Sequence, residues 1–322
     1  MDVFLTSPWI PPEWVRAHGL QPRGIWAAEN LQRLPCPLSA GVCAFAESAV
    51  RFAQSRAESA AVFSTACDQM RRAFDAAIFR GQRQAFLFNL PATWQTAAAG
   101  QILRSELERL GRFLLAMGGR APSPEQLWLE MLQAGRTRKL LLESARASSS
   151  RGFAEAVARF HWDGSFSPPP PAAPADQIPL ALVGGPFLAS HWKWLDALEA
   201  AGGRVALDAT EMGELSLAPP LESETVAKDP FDTLFRGCLD NTIGVFQRPN
   251  ARLYSWLKPR LASRQARGIV LWHFTGCDLW RAEAPTLRET FGLPVLLLEA
   301  CAEPGAAPRD LNRLQAFVET LR

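Results

Sequence analysis

Apolar residues fall in short runs that alternate with helix-length amphipathic stretches, most regularly in the C-terminal half. There PLALVGG (179–185), RVALDAT (204–210), IVLWHFTG (269–276) and PVLLLEA (294–300) read as strands. HWKWLDALEAAGG (191–203), NARLYSWLKPRLASRQARG (250–268), APTLRETFG (284–292) and RDLNRLQAFVETLR (309–322) read as helices. Strands that are apolar throughout are buried on both faces. Helices set between them, several ending in glycine, predict a parallel sheet covered on both sides, a Rossmann-like or flavodoxin-like unit.

The N-terminal half follows the same grammar more loosely. RGIWAA (23–28), AAVFSTA (60–66) and QAFLFNLP (84–91) read as strands, and CAFAESAVRFAQS (43–55) and CDQMRRAFDAAIFRG (67–81) as helices. From Thr93 to about residue 160 the spacing becomes helical, and Ser-Pro-Glu at 123–125 is a helix start. A helical cap packed on the sheet is the plain reading. The Pro/Ala run SFSPPPPAAPADQ (165–177) has fixed φ and few amide protons, which suits an extended linker. The expected organisation is an α/β fold of two Rossmann-like domains with parallel sheets. Residues 1–166 form the first, with a helical extension over about 93–160; 167–177 is the linker and 178–322 the second domain.

Composition narrows this only slightly. In 322 residues, 48% hydrophobic content and a formal net charge of +2 describe a globular chain without the basic excess of a nucleic-acid partner. The N-terminus has no basic n-region followed by an apolar core, and no apolar run reaches the ~18 residues of a membrane span. A cytoplasmic location is therefore expected, where the six cysteines (Cys36, Cys43, Cys67, Cys238, Cys277, Cys301) are thiols rather than disulfides.

One phrase occurs twice. STACDQMRR (64–72) and FTGCDLWRA (274–282) share Thr-x-Cys-Asp-x-x-Arg, each directly after an apolar strand and at the start of a helix. In open parallel sheets ligands bind beyond the carboxyl ends of the strands, where such corners lie. Cys43 opens a helix in a comparable setting. A helix N-terminus lowers a thiol's pKa. A cysteine after a strand is ordinarily core; a repeated phrase argues for a shared site. If the three bind metal, the absence of a C-x-x-C pair argues against zinc, and three thiols from separate elements suit a 4Fe-4S cluster with one iron open.

Several segments then resemble one family. IPPEWVRAHGLQP, CAFAES, ACDQMRRAFD, LFNLPATW with SELERLGRFL, GCDLWRAEAP, and LPVLLLEAC with RDLNRLQAFVETL follow, in order, motifs of the 2-hydroxyacyl-CoA dehydratase and benzoyl-CoA reductase family. The resemblance implies that Cys43, Cys67 and Cys277 hold a 4Fe-4S cluster. It implies an acyl-CoA substrate, a homologous second subunit in a hetero- or homodimer, and an ATP-hydrolysing activator. One electron would pass through the cluster to the thioester, for dehydration or for ring reduction. The alternative is a cluster-carrying scaffold subunit. Cys36, Cys238 and Cys301 leave room for a larger cluster, and Cys301 and Ala302 replace an acid common in the family. Ser48 matches the family's serine, and Glu13 lies where capping or substrate contact are both open. Asp68 and Asp278 read as first-turn residues, His18 as a helix C-terminus, His273 as packing and LVGGPF (182–187) as a weak phosphate loop. The eleven tryptophans read as core, with an apolar acyl pocket as the other use.

Overall fold

The computed structural model describes residues 1–28, 31, 42–171, 176–219, 228–300 and 308–322. Eight strands form two parallel four-stranded sheets. The first contains β1 (Asp2–Leu5), β2 (Gln21–Gly24), β3 (Ala60–Ser64) and β4 (Ala85–Phe88) in the order β2-β1-β3-β4. The second contains β5 (Ile178–Gly184), β6 (Gly203–Thr210), β7 (Gly268–Phe274) and β8 (Val295–Ala300) in the order β6-β5-β7-β8. Each sheet thus adds its second strand on one side of its first and its later strands on the other, as in flavodoxin-like folds. The α/β fold with two Rossmann-like sheets is as the pattern predicts.

Around the first sheet lie α1 (Pro12–Ala17), α2 (Ala44–Gln54), α3 (Asp68–Phe79), α4 (Ala97–Ala116), α5 (Pro124–Ser144) and α6 (Ser150–Asp163). Around the second lie α7 (Lys193–Ala200), α8 (Pro230–Asn241), α9 (Ala251–Ser263), α10 (Asp278–Arg281), α11 (Glu283–Phe291) and α12 (Pro308–Thr320). Local chemistry sets several starts. Thr96, Ser123 and Ser149 accept the amides of Ala99, Gln126 and Gly152, so each oxygen satisfies a donor that the first helical turn leaves open. Strands β3 and β7 are buried at every position. Their apolar runs, Ala60–Phe63 and Ile269–Trp272, suit strands covered on both faces.

Three features depart from the expectations. RGIWAA is strand only at Arg23 and Gly24, and Ile25–Ala27 form a 3-10 turn. Strand β1 and helix α8 were not expected, because four residues beside a proline-rich segment, and one helix after an irregular stretch, give weak periodic signals. The Pro run is partly fixed: Ser149 donates its amide to the Pro170 carbonyl at 2.9 Å, and Ser148 bridges to Pro171.

One outer strand of each sheet, β4 and β8, meets an arginine. Arg109 of α4 donates to the Leu87 carbonyl on β4, and Arg313 of α12 to the Leu297 carbonyl on β8 at 2.9 Å. Such caps block strand addition at an edge. A continuous buried apolar cluster runs from Val3 and Phe63 in the first sheet to Trp272 and Leu298 in the second. Among the described residues no helix is long and apolar enough to cross a membrane.

Candidate functional site

The repeated phrase marks equivalent corners. Cys67 is the residue before α3 and follows β3; Cys277 is the residue before α10 and follows β7. Both leave the third strand of their sheet in chain order, on the side where the strand order reverses. Cys43 stands before α2. Gly276 packs on Cys43: a side chain at Gly276 would begin 3.5 Å from the Cys43 backbone, and Gly276 has φ +83°, which suits glycine. The Cys43 amide donates to Gln69 Oε1 at 3.2 Å, tying this corner to α3. Phe45 and Phe274 stack at 6.2 Å beside it. The three thiols lie within electrostatic reach of one another and of Glu211.

These sulfurs do not have the depressed pKa values expected at helix N-termini. Burial pushes Cys67 up to about 11 and raises Cys43 and Cys277, and the Glu211 charge adds to the effect. The amides of the first helical turns pull the other way and are outweighed.

The donor arrangement corrects the cofactor expectation. Among the described residues no group of three or more His, Cys, Asp or Glu side chains is placed to hold a metal ion. Cys43 is buried and Cys67 and Cys277 are half-buried, and the three share one corner without forming a ligand set. Cys238 lies elsewhere, and Cys36 and Cys301 fall outside the described residues. The 4Fe-4S cluster is therefore withdrawn, and with it the iron-sulfur, metal-binding dehydratase or reductase chemistry. The activator-driven one-electron mechanism and the cluster-carrying scaffold alternative go with it.

Two buried carboxyls near this corner carry a pH signature. Burial pushes Glu211 up to about 7 although Trp280 Nε1 donates to it at 2.7 Å. Burial, with the Asp208 charge, also pushes Glu214 up to about 7, against the pull of Arg264 at 3.1 Å. The folded chain keeps these protons over a range where the unfolded chain, with ordinary values of 4.5, releases them. This contribution to stability is whole below about 4.5 and is lost as pH rises to about 7. The unfolding midpoint, followed by circular dichroism, is expected to fall between pH 5 and pH 8. Glu211→Gln is expected to flatten that fall; an unchanged slope would contradict the assignment.

A second place is more open. A half-open cleft is lined by residues of the segment from Pro8 to Glu13, by Met131 and Arg138 of α5, by residues between Leu215 and Pro219 and by α8. Glu13 opens α1 immediately after Pro12, so chain direction and proline pre-organisation place its carboxyl in the first turn. It is only 3% exposed and forms an ion pair with Arg138. The pair keeps bonding capacity: a carboxylate accepts at several lone pairs, a guanidinium donates five protons, and Arg138 Nε has no acceptor among the described residues. Cys238 also lines the cleft, its thiol pushed up to about 12 by burial and by Glu13. Trp9, Met131 and Leu234 supply apolar wall.

The remaining candidates are placed as follows. Ser48 lies one turn along α2 from Cys43, and its hydroxyl donates to the Ala44 carbonyl at 2.9 Å. Glu13 lies with Cys238 in the cleft rather than with the three thiols. His18 ends α1 with Nδ1 2.7 Å from the Trp14 carbonyl, and burial lowers its pKa instead of leaving it part-charged. Asp68 and Asp278 occupy the first turns of their helices, and His273 is buried in β7. Gly184 and Gly185 of LVGGPF pack on Trp272 and Trp280. Sequence reasoning missed Arg138, Trp9 and Glu211 as site residues, and considered Cys238 only as a further cluster ligand. Arg138 sits in GRTRK, where nothing distinguishes it from its solvated neighbours until α5 is laid against α1.

Comparison with curated proteins finds no match to the chain. A family model described as 2-hydroxyglutaryl-CoA dehydratase, D-component, matches residues 9–321. That span takes in seven of the eight described strands and the cysteine corners, and the chain therefore belongs to the 2-hydroxyglutaryl-CoA dehydratase D-component family.

Proposed function

We propose that this chain is a subunit of an assembly that acts on 2-hydroxyacyl-CoA thioesters. It works beside a homologous second chain, and the Glu13–Arg138 cleft receives the 2-hydroxyacyl end. The observation that carries this reading is the buried carboxylate–guanidinium pair in the cleft wall. A 2-hydroxyacyl thioester offers a hydroxyl donor and a carbonyl acceptor on adjacent carbons. Glu13 accepts from the hydroxyl, and Arg138 donates to the carbonyl. Hydrogen bonds to charged groups contribute roughly 1.5–3 kcal/mol each, enough to fix the orientation. The surrounding apolar wall excludes water and holds the acyl chain, the usual build of a small-molecule site. Family membership supports an enzyme of this general type and its multi-subunit organisation.

Titration calorimetry of the purified chain tests the reading. A 2-hydroxyacyl-CoA is expected to bind at least about tenfold more tightly than free CoA, corresponding to ~1.4 kcal/mol. Glu13→Gln is expected to remove most of that difference. Equal affinity for the thioester and free CoA would overturn the proposal.

A further inference from the structure

We propose that Ser216 and His161 form a nucleophile–base pair in the wall of the Glu13–Arg138 cleft and give the chain a slow thioesterase activity. The proposal rests on the reading above, which places an acyl-CoA carbonyl in that cleft, and goes beyond it in assigning a bond-breaking step. Ser216 lines the cleft, and its hydroxyl lies 2.8 Å from His161 Nε2. That is the reach required of a hydroxyl nucleophile and its base. Two distant segments supply the pair: Ser216 closes the 3-10 turn Glu214–Ser216 after β6, and His161 lies in the last turn of α6. The imidazole is held from two sides, its ring centre 5.0 Å from that of Trp26 and 5.3 Å from that of Phe160.

The single hydroxyl proton has two acceptors, the Gly213 carbonyl at 2.6 Å and His161 Nε2. In one imidazole tautomer Nε2 donates and the serine rests on the carbonyl; in the other Nε2 accepts and the serine oxygen is free to attack. Burial, with the charges of Arg138 and Arg16, lowers the His161 pKa to about 3. The ring is therefore neutral and a weak base, which makes the turnover slow. The same wall carries donors for the oxygen that becomes negative. Arg138 Nε and Trp9 Nε1 are buried and have no acceptor among the described residues. Unpaired donors in a cleft wall suit a developing oxyanion. In the reaction the Ser216 oxygen bonds to the thioester carbonyl carbon while its proton passes to His161 Nε2. The carbon–sulfur bond breaks, and the sulfur leaves with that proton as free CoA. Water entering from the open side of the cleft attacks the acyl-serine ester, its proton passing through His161 back to the serine oxygen, and the 2-hydroxy acid is released. Nothing is oxidised or reduced.

The intact chain incubated with 2-hydroxybutanoyl-CoA tests this, with free CoA followed by chromatography and acyl-serine by peptide mass spectrometry after an acid quench. The wild type is expected to release CoA at least about tenfold faster than Ser216→Ala or His161→Gln, and to carry the acyl group on Ser216. The acyl site in the wild type decides the matter even if neither variant folds: an acyl group on another residue overturns the proposal. If the wild type binds the thioester more tightly than free CoA but releases no CoA above the protein-free rate, or if a folded Ser216→Ala releases it equally fast, the proposal is overturned while the 2-hydroxyacyl reading stands. If the thioester binds no more tightly than free CoA, both are overturned.

Discussion

Arg138→Ala is expected to lower the stability of the folded chain by roughly 3–5 kcal/mol, the cost of leaving a buried charge without its partner. Glu13 is 3% exposed and lies in the first turn of α1, where the helix end offers it only part of a positive charge. Its full counter-charge comes from Arg138, whose side chain is 14% exposed and whose guanidinium also lies 5.5 Å from the Phe160 ring centre. Removing the guanidinium strips the carboxylate and opens space against Phe160. Chemical denaturation measures the loss. The double variant Glu13→Leu with Arg138→Met is expected to recover much of it, because neither charge then remains buried. A single-variant loss below about 1 kcal/mol, typical of exposed pairs, would show that the pair is solvated and the cleft open.

Trp272→Ala is expected to have a comparable effect, roughly 3–5 kcal/mol. Trp272 is 1% exposed on the central strand β7, and its indole donates to the Pro186 carbonyl at 3.0 Å. Its ring meets Phe187 at 4.8 Å, His191 at 4.7 Å and Trp194 at 5.7 Å. Truncation loses these contacts and leaves the Pro186 carbonyl without its donor. The new space also merges with an apolar hollow already bounded by Leu180, Trp194, Leu198 and Leu314, so collapse is hindered. Trp272→Phe keeps the aromatic packing and is expected to cost less than half as much. Thermal unfolding of the two variants checks the order.

The fold was legible because its central strands β3, β5 and β7 are mostly apolar and several helices begin at chemical stops. β3, β5 and β7 fall within a residue or two of their expected limits. The repeated Thr-x-Cys-Asp phrase was legible as a structural repeat, since Cys67 and Cys277 leave equivalent strands. The chemistry inferred from it was not. A helix N-terminus is visible in sequence, but the burial that raises these thiols is set by tertiary contacts, among them Gly276 against Cys43 and the Phe45–Phe274 stack between the two halves of the chain. Those contacts join segments more than 200 residues apart. Glu13 was legible as a candidate; its partner Arg138 was not, because charge pairing between α1 and α5 leaves no local spacing to read.

The central claim is that the Glu13–Arg138 cleft recognises the hydroxyl and carbonyl of a 2-hydroxyacyl thioester. Its most direct test is the affinity of the intact chain for a 2-hydroxyacyl-CoA compared with the otherwise identical acyl-CoA that lacks the 2-hydroxyl. A lost hydrogen bond to a buried charge predicts at least about tenfold weaker binding of the deoxy thioester in the wild type, and no difference in Glu13→Leu with Arg138→Met. Equal affinities in the wild type would contradict the account.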